Sequence, residues 1–491
     1  MRYAPLLIML AAMSCGKTSP VSPGGAGGPT LQLIAGNNAS DTAWAHLSNP
    51  LIVEVRDSTG HLAAPGTVVQ FDLVPNDPAV DNGYYAHTYE AYVGIPGGAC
   101  CGRSVSDTTD QTGRSTVDVI LGPRAGTADV VVSVPTLALV DTATFSVEPG
   151  APARLVVLPF DTAVTVDNSV TLRSAVVDQN LNVITGETPT WSASNKDASV
   201  SASGSIVGST VGTDTITMSL GGLSTSADVS VVPADRLAMS FGTTIGMANL
   251  DGSHVDSLAS ATEGAAGYRP QWMPDGKALV YAASVNNLQI LERVDTATLT
   301  VTDFFPTGIP NVTQQADPTP TEDGQWLFFA AYDAGCAPSA FCIYRSGVDG
   351  SSPELVGSPA LADGELRPSP SPDGSMVAFV QGGHIKVYDV ANALETAVDV
   401  PGTAPTWSPD GSTIAYVAAS GGAITTMAPD GTGTRTITPG ESYSSLMMSW
   451  SPDGKYLVAM SNNLYWKLVD MQSGGSIRLP FSSAYGSLAF R

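Results

Sequence analysis

The sequence predicts an all-β protein: two small β-sandwiches followed by a six-bladed β-propeller. Three observations predict it. The chain is 43% hydrophobic and carries 50 Gly and 35 Pro, with Val, Thr and Ser abundant and long Leu/Glu/Lys helical patterns nearly absent, a composition of strands joined by tight turns. Its first half reads as short alternating segments separated by polar turns. Its second half repeats one phrase, seen in "APTWSPDGSTIAYVAAS", at a spacing suited to a propeller blade.

The chain has 491 residues, enough for about three domains. It holds 45 Asp and Glu against 21 Lys and Arg, a formal charge of −24. Such a field repels phosphate backbones, so nucleic acid is not an expected partner. The acidity suits a soluble extracytoplasmic surface or the attraction of cations and basic partners.

Residues 1–15, "MRYAPLLIMLAAMSC", place Arg2 before a short apolar core and end in Cys15. That run is too short to span a bilayer and reads as an export signal. It resembles a bacterial lipoprotein signal. The resemblance implies cleavage before Cys15, lipidation of Cys15 and, with Gly16 after it, sorting to the outer membrane, facing the periplasm or the exterior. Ala12 stands where that family usually has Leu. Residues 16–29, "GKTSPVSPGGAGGP", read as a flexible tether. No other segment approaches the ~18 consecutive apolar residues of a membrane span.

Residues 30–149 alternate strands with turns such as "DSTG" and "DQTG", the pattern of a sandwich. The phrases "VRDSTG…PGTVVQF", "TDQTGRSTVDVILGPRAGTADVVV" and "ATFSV" resemble a bacterial Ig-like domain of the invasin/intimin type. The stretch 75–102 departs from that pattern, being long and aromatic. Long loops on rigid scaffolds favour binding, so Tyr84, Tyr85 and Tyr89 form a candidate binding loop, with decoration of a sheet edge as the alternative. Residues 150–233, with "TWSASN" and "GSIVGSTVGTDTIT", resemble a second class of bacterial Ig-like domain, and Trp191 is expected in its core.

In 234–491 the repeated phrases put turn aspartates at Asp275, Asp323, Asp373, Asp410 and Asp453, separated by 48, 50, 37 and 43 residues. In Pro-Asp-Gly the proline sets φ, the Asp bonds nearby amides and the Gly accepts positive φ. Trp272, Trp407 and Trp450, before the turns, are expected between blades. A second Asp turn recurs six times, at Asp251, Asp295, Asp349, Asp389, Asp430 and Asp470. The missing sixth inner strand is supplied by "YGSLAFR" (485–491), so the chain ends meet in one blade and close the ring. The repeat resembles the TolB-like propeller with its P-x-W-S-P-D-G core. That family implies a periplasmic protein-binding scaffold. Pro320 and Pro370 replace the Trp in two repeats, and Thr-Glu-Asp-Gly replaces Ser-Pro-Asp-Gly in one.

No G-x-S-x-G elbow, H-E-x-x-H spacing or phosphate loop is present, and the five histidines are scattered. The expectation is therefore a non-enzymatic protein with no metal and no cofactor. Its turn aspartates are structural and its partners are envelope proteins. The alternative is recognition of carbohydrate or cell-wall polymer through the tyrosine loop, with Tyr465–Trp466 as a weaker candidate set against a core role. Cys336 and Cys342, six apart, suit a local disulfide in an exported protein. Cys100 and Cys101 are adjacent, and Cα atoms about 3.8 Å apart lie below the usual disulfide range of roughly 4.4–6.8 Å. A strained vicinal bond, free thiols and pairing elsewhere all remain open.

Overall fold

The structure, a computed structural model, describes residues 28–74, 91–98, 102–260, 269–285, 288–333, 341–357, 368–444, 448–482 and 485–491. Cys15, Tyr84, Tyr85, Tyr89, Cys100, Cys101 and Cys336 lie outside the described residues. Among those described there is one 3-10 turn, Pro135–Leu137, and no α-helix; everything else regular is strand. Among the described residues no helix is long and apolar enough to cross a membrane.

Two compact units emerge where the sequence suggests three domains: residues 1–154 with 175–187, and residues 155–174 with 188–491. The first is a sandwich. One sheet takes Thr30–Ala35, Leu51–Arg56, Arg114–Leu121 and Ala91–Gly94 in spatial order. The other takes Ser40–Thr42, Leu139–Glu148, Gly126–Val134, Val68–Leu73 and Ser104–Thr108. Both sheets alternate, so one face of each turns inward. Leu51, Val53 and Val117 from one meet Phe71, Val130, Val132 and Phe145 from the other in a single core. Buried Glu54 is held between Arg56 at 2.8 Å and Arg114 at 3.2 Å. Segment 175–187 joins this unit through hydrogen bonds no spacing argument reveals: Asn182 Nδ2 donates to Pro123 O (2.7 Å) and Ala125 N donates to Asn182 Oδ1 (2.9 Å).

The second unit begins with Asp161–Thr165, Leu223–Val232, Gly212–Leu220 and Thr190–Ala193 in one sheet, and Ser169–Thr171, Ser205–Gly208 and Ala198–Val200 in another. Trp191, expected in the core, is only half-buried. It sits on the edge strand of its sheet, where one flank has no neighbour. Fully buried Asp214 organises the turn beside it, accepting from Ser194 N, Asn195 N and Ala198 N. Val211 and Val232 pack with Leu237, Leu250, Leu479 and Phe481, which ties these strands to the sheets formed by 236–491.

From Arg236 to the C-terminus the chain folds into antiparallel up-and-down sheets. Among the described residues four have four strands and one has eight. The eight-stranded sheet is two four-strand halves joined only where His384 and Ile385 pair with Pro401 and Val400. The inner strands are Gln271–Trp272, Val312–Pro320, Ser369–Pro370, Val400–Trp407, Ser449–Trp450 and Tyr485–Phe490. Each touches the next, and the last touches the first, so the sheets stand around an axis as a β-propeller. Arg236–Phe241 pairs antiparallel with Tyr485–Phe490, Leu237 opposite Phe490 and Met239 opposite Leu488, so the two ends of this region share one sheet. Trp272 packs with Ala238, Met247 and Tyr281, and Trp407 with Ala378 and Tyr416, each bridging neighbouring sheets. Outer turns close on the second Asp set; Asp430 Oδ1, for example, accepts from Thr432 N at 2.9 Å.

Leu488 and Phe490 are fully or nearly fully buried at the seam, and burying each is worth about 1.5–3 kcal/mol. Deleting 485–491 also exposes a full strand edge at Arg236–Phe241. The truncated protein is expected to elute as aggregate in size-exclusion chromatography and to be cleaved rapidly between 236 and 260 in limited proteolysis.

Candidate functional site

The inner strands enclose a funnel on the propeller axis with a cavity volume of about 470 Å³. Its wall is rich in proline (Pro274, Pro320, Pro370, Pro372, Pro409 and Pro452 among them) with Trp272, Trp407 and Trp450. Pro320 and Pro370 suit this place because the innermost strand has no further neighbour to bond a backbone N–H, while Pro274, Pro372, Pro409 and Pro452 belong to the turns that follow.

Successive inner strands are fastened around the axis. Thr319 Oγ1 donates to Pro368 O (3.0 Å), Trp407 N to Ser369 Oγ (3.2 Å), Trp450 Nε1 to Thr406 O (3.2 Å) and Phe490 N to Ser449 Oγ (3.0 Å). The remaining links are charged. Arg269 Nη1 meets Asp317 Oδ1 at 2.6 Å. The Arg491 guanidinium carbon lies 5.4 Å from the Trp272 ring centroid, within cation–π range.

Local backbone geometry aims that ion pair. Arg269, Asp317 and Ala404 occupy the same place in three repeats, three residues before Trp272, Pro320 and Trp407, and all have positive φ (30°, 51° and 53°). The strand register shifts at this point, between Ala316 and Thr319 and between Thr403 and Thr406. These bulges re-aim a side chain at the rim. Aligning the repeats puts Arg269 and Asp317 in one column, the signal that would have found them. The serine and threonine links were also missed, having no spacing of their own. Glu322, in the Thr-Glu-Asp-Gly variant, lines the funnel; the enclosing wall pushes its carboxyl up although solvent reaches the side chain. The indole N–H groups of Trp272 and Trp407 are buried and meet no acceptor among the described residues.

The turn aspartates do not converge. Each closes its own hairpin. Asp410 Oδ1 accepts from Ser408 Oγ (2.6 Å) and Ser412 N (3.0 Å), while Ser408 Oγ accepts from Thr413 N (3.0 Å). Asp373 with Ser371, Asp453 with Ser451 and Asp323 with Thr321 repeat the arrangement at 2.6–2.7 Å. In the Asp275 turn Met273 stands in place of the Ser or Thr, and Asp275 Oδ1 accepts from Lys277 N (3.0 Å). The glycine after each Asp has φ of 65–71°, a conformation open to Gly at no steric cost. The serine hydroxyl, then the following amide, holds the Asp373 and Asp410 carboxyls below the usual carboxylate range. Among the described residues no group of three His, Cys, Asp or Glu is placed to hold a metal ion. Cys342 is buried and disulfide-bonded. Trp466 is fully buried in the propeller core. Tyr465 is exposed, with the Arg478 guanidinium 3.8 Å from its ring centroid.

No family model matches the chain. It is 31% identical over 166 residues to an uncharacterized protein of Agrobacterium fabrum, a match covering 30% of this chain and 53% of that protein. The chain thus spans about half the length of this curated relative. Similar solved structures include TolB from Acinetobacter baumannii (16% identity, 62% of this chain and 83% of that one, TM-score 0.44). A putative TolB from Agrobacterium tumefaciens is 18% identical over 50% of this chain and 86% of that one, TM-score 0.39. An oligogalacturonate lyase in complex with manganese is 16% identical over 64% of this chain and 86% of that one, TM-score 0.38.

A carboxylate whose folded pKa is depressed contributes stability above its unfolded pKa, about 3.9, and loses it as pH falls through the lower folded value. Urea unfolding should therefore show a plateau from neutrality to about pH 5 and a fall below about pH 4. Ser408→Ala strips the Asp410 carboxylate of one of its two hydroxyl donors, leaving Ser412 Oγ, and orphans Thr413 N. It should cost about 1–3 kcal/mol at neutral pH and less at pH 3.

Proposed function

We propose that this chain is a non-enzymatic cell-envelope protein that binds another protein in the axial funnel of its propeller. In this reading residues 234–491 form a six-bladed TolB-like propeller. Two bacterial Ig-like domains carry it, and lipidated Cys15 tethers it to the outer membrane, facing the periplasm or the exterior. Cys336 pairs with Cys342.

The observation that carries the reading is the funnel. Its volume falls in the range of binding cavities, about 300–1,000 Å³. Its wall is proline and tryptophan, with a few charges placed at Arg269, Asp317, Glu322 and Arg491. Such a wall suits an extended peptide segment, which presents alternating apolar side chains and backbone polar groups.

Two experiments test this. A photo-crosslinking residue at position 322, in cells making the full chain, should give one discrete protein adduct. The same residue at position 394, exposed on an outer strand, should give none. Equal labelling from both positions would refute docking in the funnel. Cys15→Ser should abolish incorporation of labelled palmitate and release the protein from the membrane fraction. Retention without label would refute the anchor.

A further inference from the structure

The first unit carries an aromatic platform unrelated to the funnel. Trp44 is 53% exposed. Its backbone sits at φ 66°, a left-handed conformation that is a genuine outlier for a bulky residue. Neither burial nor backbone preference explains a tryptophan there. Strained backbone of this kind persists only where surrounding contacts hold it, and it collects at binding sites.

Those contacts are present. Trp44 N donates to Gly122 O at 3.3 Å. Its Nε1 donates to Asn180 Oδ1 at 3.3 Å. Tyr92 stacks on the indole with ring centroids 5.9 Å apart and planes 11° from parallel. The loop bearing Asn180 is itself pinned by buried Asp178, which accepts from Asn180 N (2.8 Å), Asn182 N (2.9 Å) and Gly150 N (2.8 Å). Burial would raise the Asp178 carboxyl, but the Asn182 side-chain amide (2.9 Å) together with these backbone amides outweighs it and leaves the group below its usual value, charged and able to hold the loop. The indole is thus backed on one face, fixed at its edge and still largely open to solvent. Leu181, next to Asn180, is 61% exposed and extends the apolar surface.

We propose that Trp44, backed by Tyr92 and edged by the Asn180 amide, is a stacking subsite for a pyranose ring of a neutral or N-acetylated polysaccharide. A rigid, flat π-face matches the C–H face of one sugar ring, whose polarised hydrogens meet the negative face of the aromatic quadrupole. The side-chain amide at the rim supplies the directional polar group that fixes orientation in such sites. The net charge of −24 disfavours polyanionic polymers. The residues are distinct from the tyrosine loop at 84–89, and the site is independent of the funnel.

The test uses the full chain, retention on insoluble chitin and cellulose, and titration with chitotetraose and cellotetraose, with polygalacturonate as the anionic probe. The intact chain should be retained by one of the neutral polymers and bind its tetraose. Trp44→Ala should weaken binding by about tenfold or more with the thermal midpoint unchanged, and Trp44→Phe should recover part of the affinity. Asn180→Ala, which keeps the ring, should weaken binding several-fold, also with an unchanged midpoint. No retention of the intact chain on either neutral polymer would overturn the proposal. So would tighter binding to polygalacturonate, or Trp44→Ala and Asn180→Ala variants that bind like the parent.

Discussion

Antiparallel pairing between Arg236–Phe241 and Tyr485–Phe490 is the constraint on which the larger unit depends. Two strands about 245 residues apart must meet before the circuit of inner strands exists. The loop-closure entropy is repaid by burial of Leu237, Met239, Leu488 and Phe490 in one core. Once closed, no sheet lacks its inner strand, and the inner strands are brought together at the axis. That crowding selects what lies there: prolines that need no N–H partner, and hydroxyls that reach across to the next strand. The funnel is a consequence of closure.

Turn chemistry is separable from the funnel wall. Ser408 and Asp410, with their counterparts in the other repeats, spend their hydrogen bonds on the hairpin that comes after each inner strand. They contribute rigidity beneath the rim. The rim residues are under no such obligation, which is why Arg269, Asp317 and Ala404 differ so sharply in one structural position. A repeated scaffold thus carries a varied rim, with stability set by residues other than those at its edge. The first unit shows the same separation: the Asp178 carboxylate anchors a loop, and that loop in turn orients Trp44.

Much of this architecture is legible in sequence because it is local. Alternation marks the strands, and Pro-Asp-Gly marks the turns. The closing strand is legible because "YGSLAFR" completes a count that comes up one short. The features that escaped notice depend on contacts between distant segments. Arg269 and Asp317 lie in different repeats; both have positive φ, and Asp317 sits at a bulge. Ser369 and Ser449 look like any strand serine until the next strand's amide is seen above them. Asn182 reaches Pro123, 59 residues away, a contact that ties segment 175–187 to the first unit and has no sequence signature. Trp191 carries the signature of a core residue, but its place on an edge strand leaves it half-covered.

The central functional claim is that a protein partner seats in the funnel. Hydrogen exchange of the full chain, read by mass spectrometry with and without the captured partner, tests it most directly. The account predicts slowed exchange in peptides covering 269–276, 317–322, 405–409 and 489–491, with outer strands 394–395 and 435–436 unchanged. Protection confined to outer strands, or to the first unit, would contradict it.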